Sequence, residues 1–299
     1  MQQTDRPSIF IRMAAVAAAA FIAAGCAGPQ PSGEGGEPGG GEPGGKKTIT
    51  VKGSDTMVIL GQRLAERYMK EHPDVTVQVT GGGSGTGIAA LQNGTTDIAQ
   101  ASRPIKDKEK EGVKAKFGKD VAEFVVAKDG LSVYVHESNP VKSLSIPQLK
   151  AIYTGKIRNW KEVGGNDAPI TLYSRENNSG TYVYFKEHVL DDEDFDPRAQ
   201  NMPGTASVVN AVSKDKNGIG YGGVAYTKGV RDVPIKKDDT SEPVAPTKDT
   251  ITAGTYPLAR DLYFYTVGEP TGAVKDFIDW TLSAEGQKVV EEVEYIPIL

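Results

Sequence analysis

From residue 48 onward, short β-branched runs alternate with stretches whose apolar residues recur at helical spacing. That alternation restricts the chain to open, largely parallel sheets with helices on their faces, an α/β architecture. Residues 48–51 and 75–80 read as strands, the second with Val75, Val77 and Val79 on one face. Between them residues 57–69 read as a helix, with Leu60, Leu64 and Tyr68 in register and Pro73 as the stop. Residues 88–92 predict a short helix ended by Gly94, and residues 97–101 a strand running into Ser102-Arg103. Two further β runs, 124–126 and 131–135, are expected to be split by Asp129-Gly130. A helix then opens at Ser145-Ile146-Pro147 and closes at Gly155, followed by a strand over 170–173 and helices over 182–190 and 207–212. Last come a strand and turn at 219–222, a polar loop at 236–250, a strand at 262–267 and helices at 273–282 and 287–293. No period of about 20 to 50 residues repeats, which excludes a solenoid.

Three of the strand-to-helix turns share a composition. Gly53-Ser54-Asp55-Thr56, Gly83-Ser84-Gly85-Thr86-Gly87 and Asn178-Ser179-Gly180-Thr181 each combine hydroxyl residues with glycine. Ser and Thr before a helix can be caps and nothing more. The glycines argue for a further role, because they let a backbone approach a ligand and turn its N–H groups inward. Turns of this kind at strand carboxyl ends converge on the crevice where open α/β sheets bind ligands. The helix N-termini there carry unpaired N–H groups and the positive end of the macrodipole, which suits an oxyanion.

The richest of these turns is Ser174-Arg175-Glu176-Asn177-Asn178-Ser179-Gly180-Thr181, which adds a guanidinium to two hydroxyls and a glycine. Arg103 follows a strand end in the same way, after Ala101-Ser102. A guanidinium offers paired donors to two oxygens of a tetrahedral anion. Arg103 has a competing use, a salt bridge with Asp107 or Glu109. Donors alone fit sulfate as well as phosphate. Phosphate keeps a proton at neutral pH, so a selective site also needs an acceptor carboxylate, which repels a fully ionised anion. Asp55 is the best-placed candidate and Asp129 the second.

The bulk numbers narrow the alternatives. The chain has 299 residues, 38% hydrophobic and 24% charged, enough for roughly two domains. The net charge of −5 leaves no basic field for nucleic acid. Cys26 is the single cysteine, which excludes an intrachain disulfide and a Cys-based zinc cluster. His72, His136 and His188 are scattered without ligand spacing, and no cofactor or metal is expected. The phosphate-loop and G-x-S-x-G patterns are missing, which argues against an enzyme. A secreted phosphatase or serine hydrolase using Ser84 or Ser179 stays as the alternative of another class.

The N-terminus has its own logic. Arg6 and Arg12 precede a small-apolar run over 13–24, too short to span a bilayer, as in a secretory signal. The boundary Ala23-Ala24-Gly25-Cys26 resembles a bacterial lipobox, although Ala23 stands where Leu is usual. Residues 1–25 are therefore expected to be cleaved and Cys26 lipidated, taking the charge from −5 to −6 through loss of Arg6, Arg12 and Asp5. Residues 26–47 are Gly, Pro, Glu and Ser with no large apolar residue, a flexible tether.

Taken together, Gly53-Ser54-Asp55-Thr56, Gly82-Gly83-Ser84-Gly85-Thr86-Gly87, Ala101-Ser102-Arg103-Pro104, Ile152-Tyr153-Thr154-Gly155-Lys156-Ile157 with Asn159-Trp160, and Ser174 through Thr181 resemble the PstS-type phosphate-binding lipoproteins of bacterial ABC importers. The resemblance runs from about residue 48 to the C-terminus. It implies a two-lobed periplasmic-binding-protein (type II) fold with two hinge crossings, near Asp129-Gly130 and near Ala259-Arg260. The lobes would be 48–128 with 260–299, and 129–259. It implies inorganic phosphate in the cleft, delivery to permease subunits, a membrane lipid anchor and a monomer. Matched residue by residue, Ser54, Thr56 and Ser84 look like donors of the first lobe, with Ser102 and Arg103 as further ligand-binding candidates. Arg175, Ser179, Gly180 and Thr181 are those of the second. Many relatives carry Ser-Asp where this chain has Ser102-Arg103, and that Asp accepts the phosphate proton. The departure moves the acceptor role to Asp55 and leaves sulfate as the alternative ligand.

Overall fold

A computed structural model describes residues 47–299, so the signal-like start, Cys26 and the tether up to residue 46 lie outside the described residues. The chain opens with β1 (Lys47–Gly53), α1 (Val58–Glu71), β2 (Val75–Thr80), α2 (Ser84–Asn93), β3 (Ile98–Ala101) and α3 (Asp107–Phe117). A long strand, β4 (Val121–Val135), leads into β5 (Leu144–Ser145), α4 (Ile146–Tyr153), β6 (Thr171–Arg175) and α5 (Gly180–His188). Then come β7 (Gln200–Met202), α6 (Thr205–Val212), β8 (Gly218–Gly223), β9 (Arg231–Asp232), β10 (Ile235–Lys236) and α7 (Lys248–Thr252). β11 (Ala259–Val267), α8 (Gly272–Leu282) and α9 (Ala284–Glu292) complete it.

The main sheet runs β2-β1-β3-β11-β4-β8-β6-β7, with β9 added on β4. β1 pairs in parallel with β2 and β3, while β11 lies antiparallel between β3 and β4. On the far side β4 is antiparallel to β8, and β8, β6 and β7 are mutually parallel. β5 and β10 form a separate small pair.

The expected elements form for the reasons their patterns give. Ile49 and Val51 alternate inward along β1, and Leu60, Leu64 and Tyr68 line the buried stripe of α1. Around them gathers a first core, which also takes Val126, Phe264 and Phe277. Leu131, Val133, Leu149, Tyr153, Phe185 and Tyr221 belong to a second. β4 feeds both, and its partner changes midway: Val121 to Gly130 lie against β11, whereas Leu131 to Val135 lie against β8. The molecule is thus two-lobed, with β4 and β11 passing side by side between the lobes.

β4 also corrects an expectation. Asp129-Gly130 does not split two strands; Asp129 pairs with Arg260 and Gly130 with Ala259, so the ladder continues through both. A charge in mid-strand is tolerated because Arg260 neutralises it. α3 was not foreseen, since its sequence is mostly charged and Val113 is its one buried residue. The polar stretch 236–250 holds the end of β10 and the start of α7.

Candidate functional site

Gly53 closes β1 at φ +145°, where a Cβ would lie 2.1 Å from Gln100 O, and only glycine fits that approach. The turn is tied down by Ser54 N–H donating to Gln100 O at 2.8 Å. Residues Asp55–Met57 wind as a single 3-10 turn before α1. Ser84 opens α2 behind Gly83, and Ser102 follows β3 directly. On the other lobe β6 ends at Arg175, and Ser179 caps α5, its Oγ accepting from Tyr182 N–H at 3.3 Å.

These elements bring their hydroxyls to one place. Ser54 Oγ donates to Ser102 Oγ at 3.0 Å, and Ser84 Oγ lies 3.5 Å from Ser102 Oγ and accepts its N–H at 3.1 Å. Thr56 Oγ1 and Thr181 Oγ1 are 2.8 Å apart, joining positions 125 residues apart in sequence. Gly180 faces the serines so closely that a Cβ would sit 2.2 Å from Ser84 Oγ and 2.8 Å from Ser102 Oγ. Ser54, Thr56, Ser84, Ser102, Ser179 and Thr181 are all buried. As the first two residues of α5, Gly180 and Thr181 carry N–H groups with no acceptor inside their helix.

Arg175 is 1% exposed. Its Nη2 donates to Asp55 Oδ2 at 2.9 Å and its Nη1 to Thr205 Oγ1 at 2.8 Å. Its Nε is buried with no partner among the described residues. Burial pulls the guanidinium below its ordinary pKa, with Asp55 opposing. A buried cation with a spare donor is costly unless an anion meets it. Asp55 Oδ1 accepts Gly82 N–H at 2.8 Å, and Tyr226, pushed up to about 12 by burial, donates to Asp55 O at 2.9 Å.

Two candidates fall outside this cluster. Arg103 is buried, but its terminal nitrogens grip Glu109 at 2.9 and 2.7 Å, and Nη1 also donates to Pro104 O at 2.8 Å. Its terminal nitrogens are therefore taken by the turn after Ser102, while its Nε, like that of Arg175, is buried with no partner among the described residues. Asp129 accepts from Arg260 Nε at 2.9 Å and Nη2 at 2.7 Å, and from Val224 N–H at 3.1 Å. Burial still pushes Asp129 up despite Arg260. It belongs to the crossing strands and not to the hydroxyl cluster.

The glycine reading needs correction too. Gly87 meets Lys52 O and Gly81 meets Asp55, while Gly83 and Gly85 meet the backbone of Asn178 from the other lobe. The glycine-rich turn makes room for protein as much as for ligand. Thr205 went unread, although Gly204-Thr205 before α6 carries the signal used for the other turns. Arg260 Nη1, which donates to Ser102 O at 3.3 Å, had no local signal at all.

Comparison with known proteins gives a consistent picture. A family model described as a PBP superfamily domain matches residues 38–285. The chain is 37% identical over 263 residues to the protein named phosphate-binding protein PstS of Pseudomonas aeruginosa PAO1, covering 82% of this chain and 81% of that one. It is 35% identical over 253 residues to the protein of the same name in Bacillus subtilis 168, covering 84% and 81%. Among solved structures it resembles a putative phosphate ABC transporter substrate-binding protein of Clostridium perfringens with bound phosphate. That match has a TM-score of 0.78 and 34% identity, covering 85% of this chain and 100% of the other. An ABC-type phosphate transport receptor of Vibrio cholerae matches with a TM-score of 0.67 and 32% identity, covering 83% and 99%.

Proposed function

The chain belongs to the PstS family within the PBP superfamily, and on that premise we propose that it captures inorganic phosphate between its lobes and delivers it to the permease of an ABC importer. The observation that carries the reading is Arg175 Nε, a buried donor without a partner among the described residues, beside a cluster of buried hydroxyls. Three helix N-termini, those of α1, α2 and α5, end at the same cluster, and each favours negative charge. In this reading Ser54, Thr56, Ser84 and Ser102 bind from the first lobe. Arg175, Gly180 and Thr181 bind from the second, and Ser179 holds the start of α5 in place. Hydroxyls that now serve one another would turn to the phosphate oxygens. Asp55 is the acceptor for the phosphate proton, placed beside Arg175.

We take residues 48–128 with 260–299 as one lobe and 129–259 as the other. β4 changes its partner from β11 to β8 between Gly130 and Leu131, opposite the start of β11 at Ala259, so opening would bend the two strands near Gly130 and Ala259. Phosphate would favour the closed form by bonding to both lobes at once. The signal-like start, the lipobox-like Cys26 and the tether after it support a receptor anchored outside the cytoplasmic membrane.

The receptor reading is preferred to a hydrolase because, among the described residues, no histidine bonds a serine of the cluster. Among the described residues His72 stacks on Tyr68, His136 bonds Ser138 and His188 stacks on Tyr184. No metal-binding group of His, Cys, Asp and Glu occurs among the described residues either. Titration calorimetry with phosphate and with sulfate tests the reading. Saturable binding of one phosphate, with sulfate weaker, is expected; absence of phosphate heat, or preference for sulfate, overturns it.

A further inference from the structure

The geometry points to Asn178 as a latch that holds the two lobes together without touching the anion, with Gly85 as its seat. The inference rests on the reading above that the lobes close on phosphate. Asn178 O accepts the N–H of Gly85 at 2.9 Å. Its side-chain Nδ2 donates to Gly82 O at 3.0 Å and to Thr86 Oγ1 at 3.2 Å, groups 96 and 92 residues away in sequence. Gly85 lies in the first turn of α2, where an N–H has no acceptor in its own helix. The opposite lobe supplies that acceptor.

The glycines opposite Asn178 show that the fit is specific. A Cβ on Gly85 would meet Asn178 O at 3.1 Å, Cα at 3.5 Å and C at 3.7 Å, and these are its three nearest neighbours. One on Gly83 would lie 2.6 Å from Asn178 O. Gly83 has φ +89°, which favours glycine in any case, whereas Gly85 sits inside a helix and has no backbone need for it. The space at Gly85 is therefore kept for the other lobe. Asn178 serves no cap of its own helix either, since Ser179 fills that place. Bonds formed only when the lobes meet stabilise the closed state alone. They slow release of the ligand and leave its capture unchanged.

The test uses Asn178→Ala and Gly85→Ala in protein carrying Cys26→Ser, Lys106→Cys and Glu187→Cys. Lys106 Nζ and Glu187 Oε1 meet across the lobes at 3.0 Å on the exposed rim, so a short bis-maleimide joins the two cysteines only on closure. The crosslinking rate in ligand-free protein then reports the closed population. Asn178→Ala is expected to cut that rate about tenfold, the loss of two neutral hydrogen bonds. Gly85→Ala should cut it several-fold while its thermal midpoint stays at or above that of the parent, since alanine favours the helix. Stopped-flow release of phosphate should accelerate by the same factors, with the association rate and the phosphate-to-sulfate ratio unchanged. Parental crosslinking and release rates in both variants overturn the latch. A parent whose crosslinking phosphate does not accelerate overturns the phosphate reading instead, and the variant-to-parent ratio still decides the latch.

Discussion

Asp55 and Arg175 stand 120 residues apart in the chain and 2.9 Å apart in space, the carboxylate on one lobe and the guanidinium on the other. The pair does two things at once. It neutralises a cation that is otherwise buried, while Arg175 Nε keeps no partner among the described residues. It also sets a carboxylate against the cluster where an anion would sit, so the anion must bring either a proton or a weaker charge.

Removal of the guanidinium is the most direct check. Arg175→Ala should weaken phosphate binding by roughly a hundredfold or more, since charge-assisted hydrogen bonds of about 1.5–3 kcal/mol each are lost. Arg175→Lys should recover only part of this, because an ammonium cannot reach Asp55, Thr205 and a ligand in one plane. Calorimetry that finds wild-type affinity for Arg175→Ala removes the residue from the site.

Asp55→Asn isolates the acceptor role. The amide keeps the size of the side chain but can also donate, so a ligand proton is no longer required. The phosphate-to-sulfate affinity ratio should fall, with sulfate gaining in absolute terms as the repelling charge disappears. Competition binding measures the ratio, and an unaltered value means that another group takes the proton.

Much of this arrangement is readable from the sequence, and what is missing has a physical cause. The turns at Ser54, Ser84 and Ser179 announce themselves because hydroxyl and glycine requirements are local, fixed by a few consecutive dihedrals. Thr205 carries the same local sign and was readable in principle. The pairings Asp55–Arg175, Asp129–Arg260 and Gly85–Asn178 join residues far apart in sequence, and no local spacing encodes them. Arg103 shows the converse. Its position after a strand end matches that of Arg175, and only the fold reveals that Glu109 has already taken its fork. A charge in mid-strand such as Asp129 reads as a break until its partner Arg260 is known.

The Asp129–Arg260 pair sits where the two crossing strands meet, 0% and 2% exposed on its side chains. Asp129→Asn leaves Arg260 buried with an uncompensated charge, so a loss of about 3–5 kcal/mol of stability is expected. Replacing both, as Asp129→Leu with Arg260→Met, should restore part of that loss. Denaturant unfolding of the three variants measures both quantities. A single substitution as mild as a surface change would mean that the pair is solvated on opening and gives little to the fold.

Glu109 gives the molecule a defined acid sensitivity. Burial acts to raise its pKa, but the Arg103 guanidinium and the Lys106 N–H outweigh it, and the carboxyl titrates below its usual range. An unfolded glutamate titrates near 4.3, so the pair's contribution is present in full above about that pH and is lost as pH falls through the folded value. Glu109→Gln should therefore destabilise the protein at pH 7 by about 1–3 kcal/mol, because the side chain of Arg103, 5% exposed, loses its charged partner. It should also flatten the stability profile below about pH 4.3, since no carboxylate is left there to protonate. Thermal midpoints from pH 7 to pH 3 follow both effects. If Glu109→Gln loses stability on acidification as steeply as the parent, the acid response belongs to other carboxylates and the Arg103–Glu109 pair contributes nothing to it.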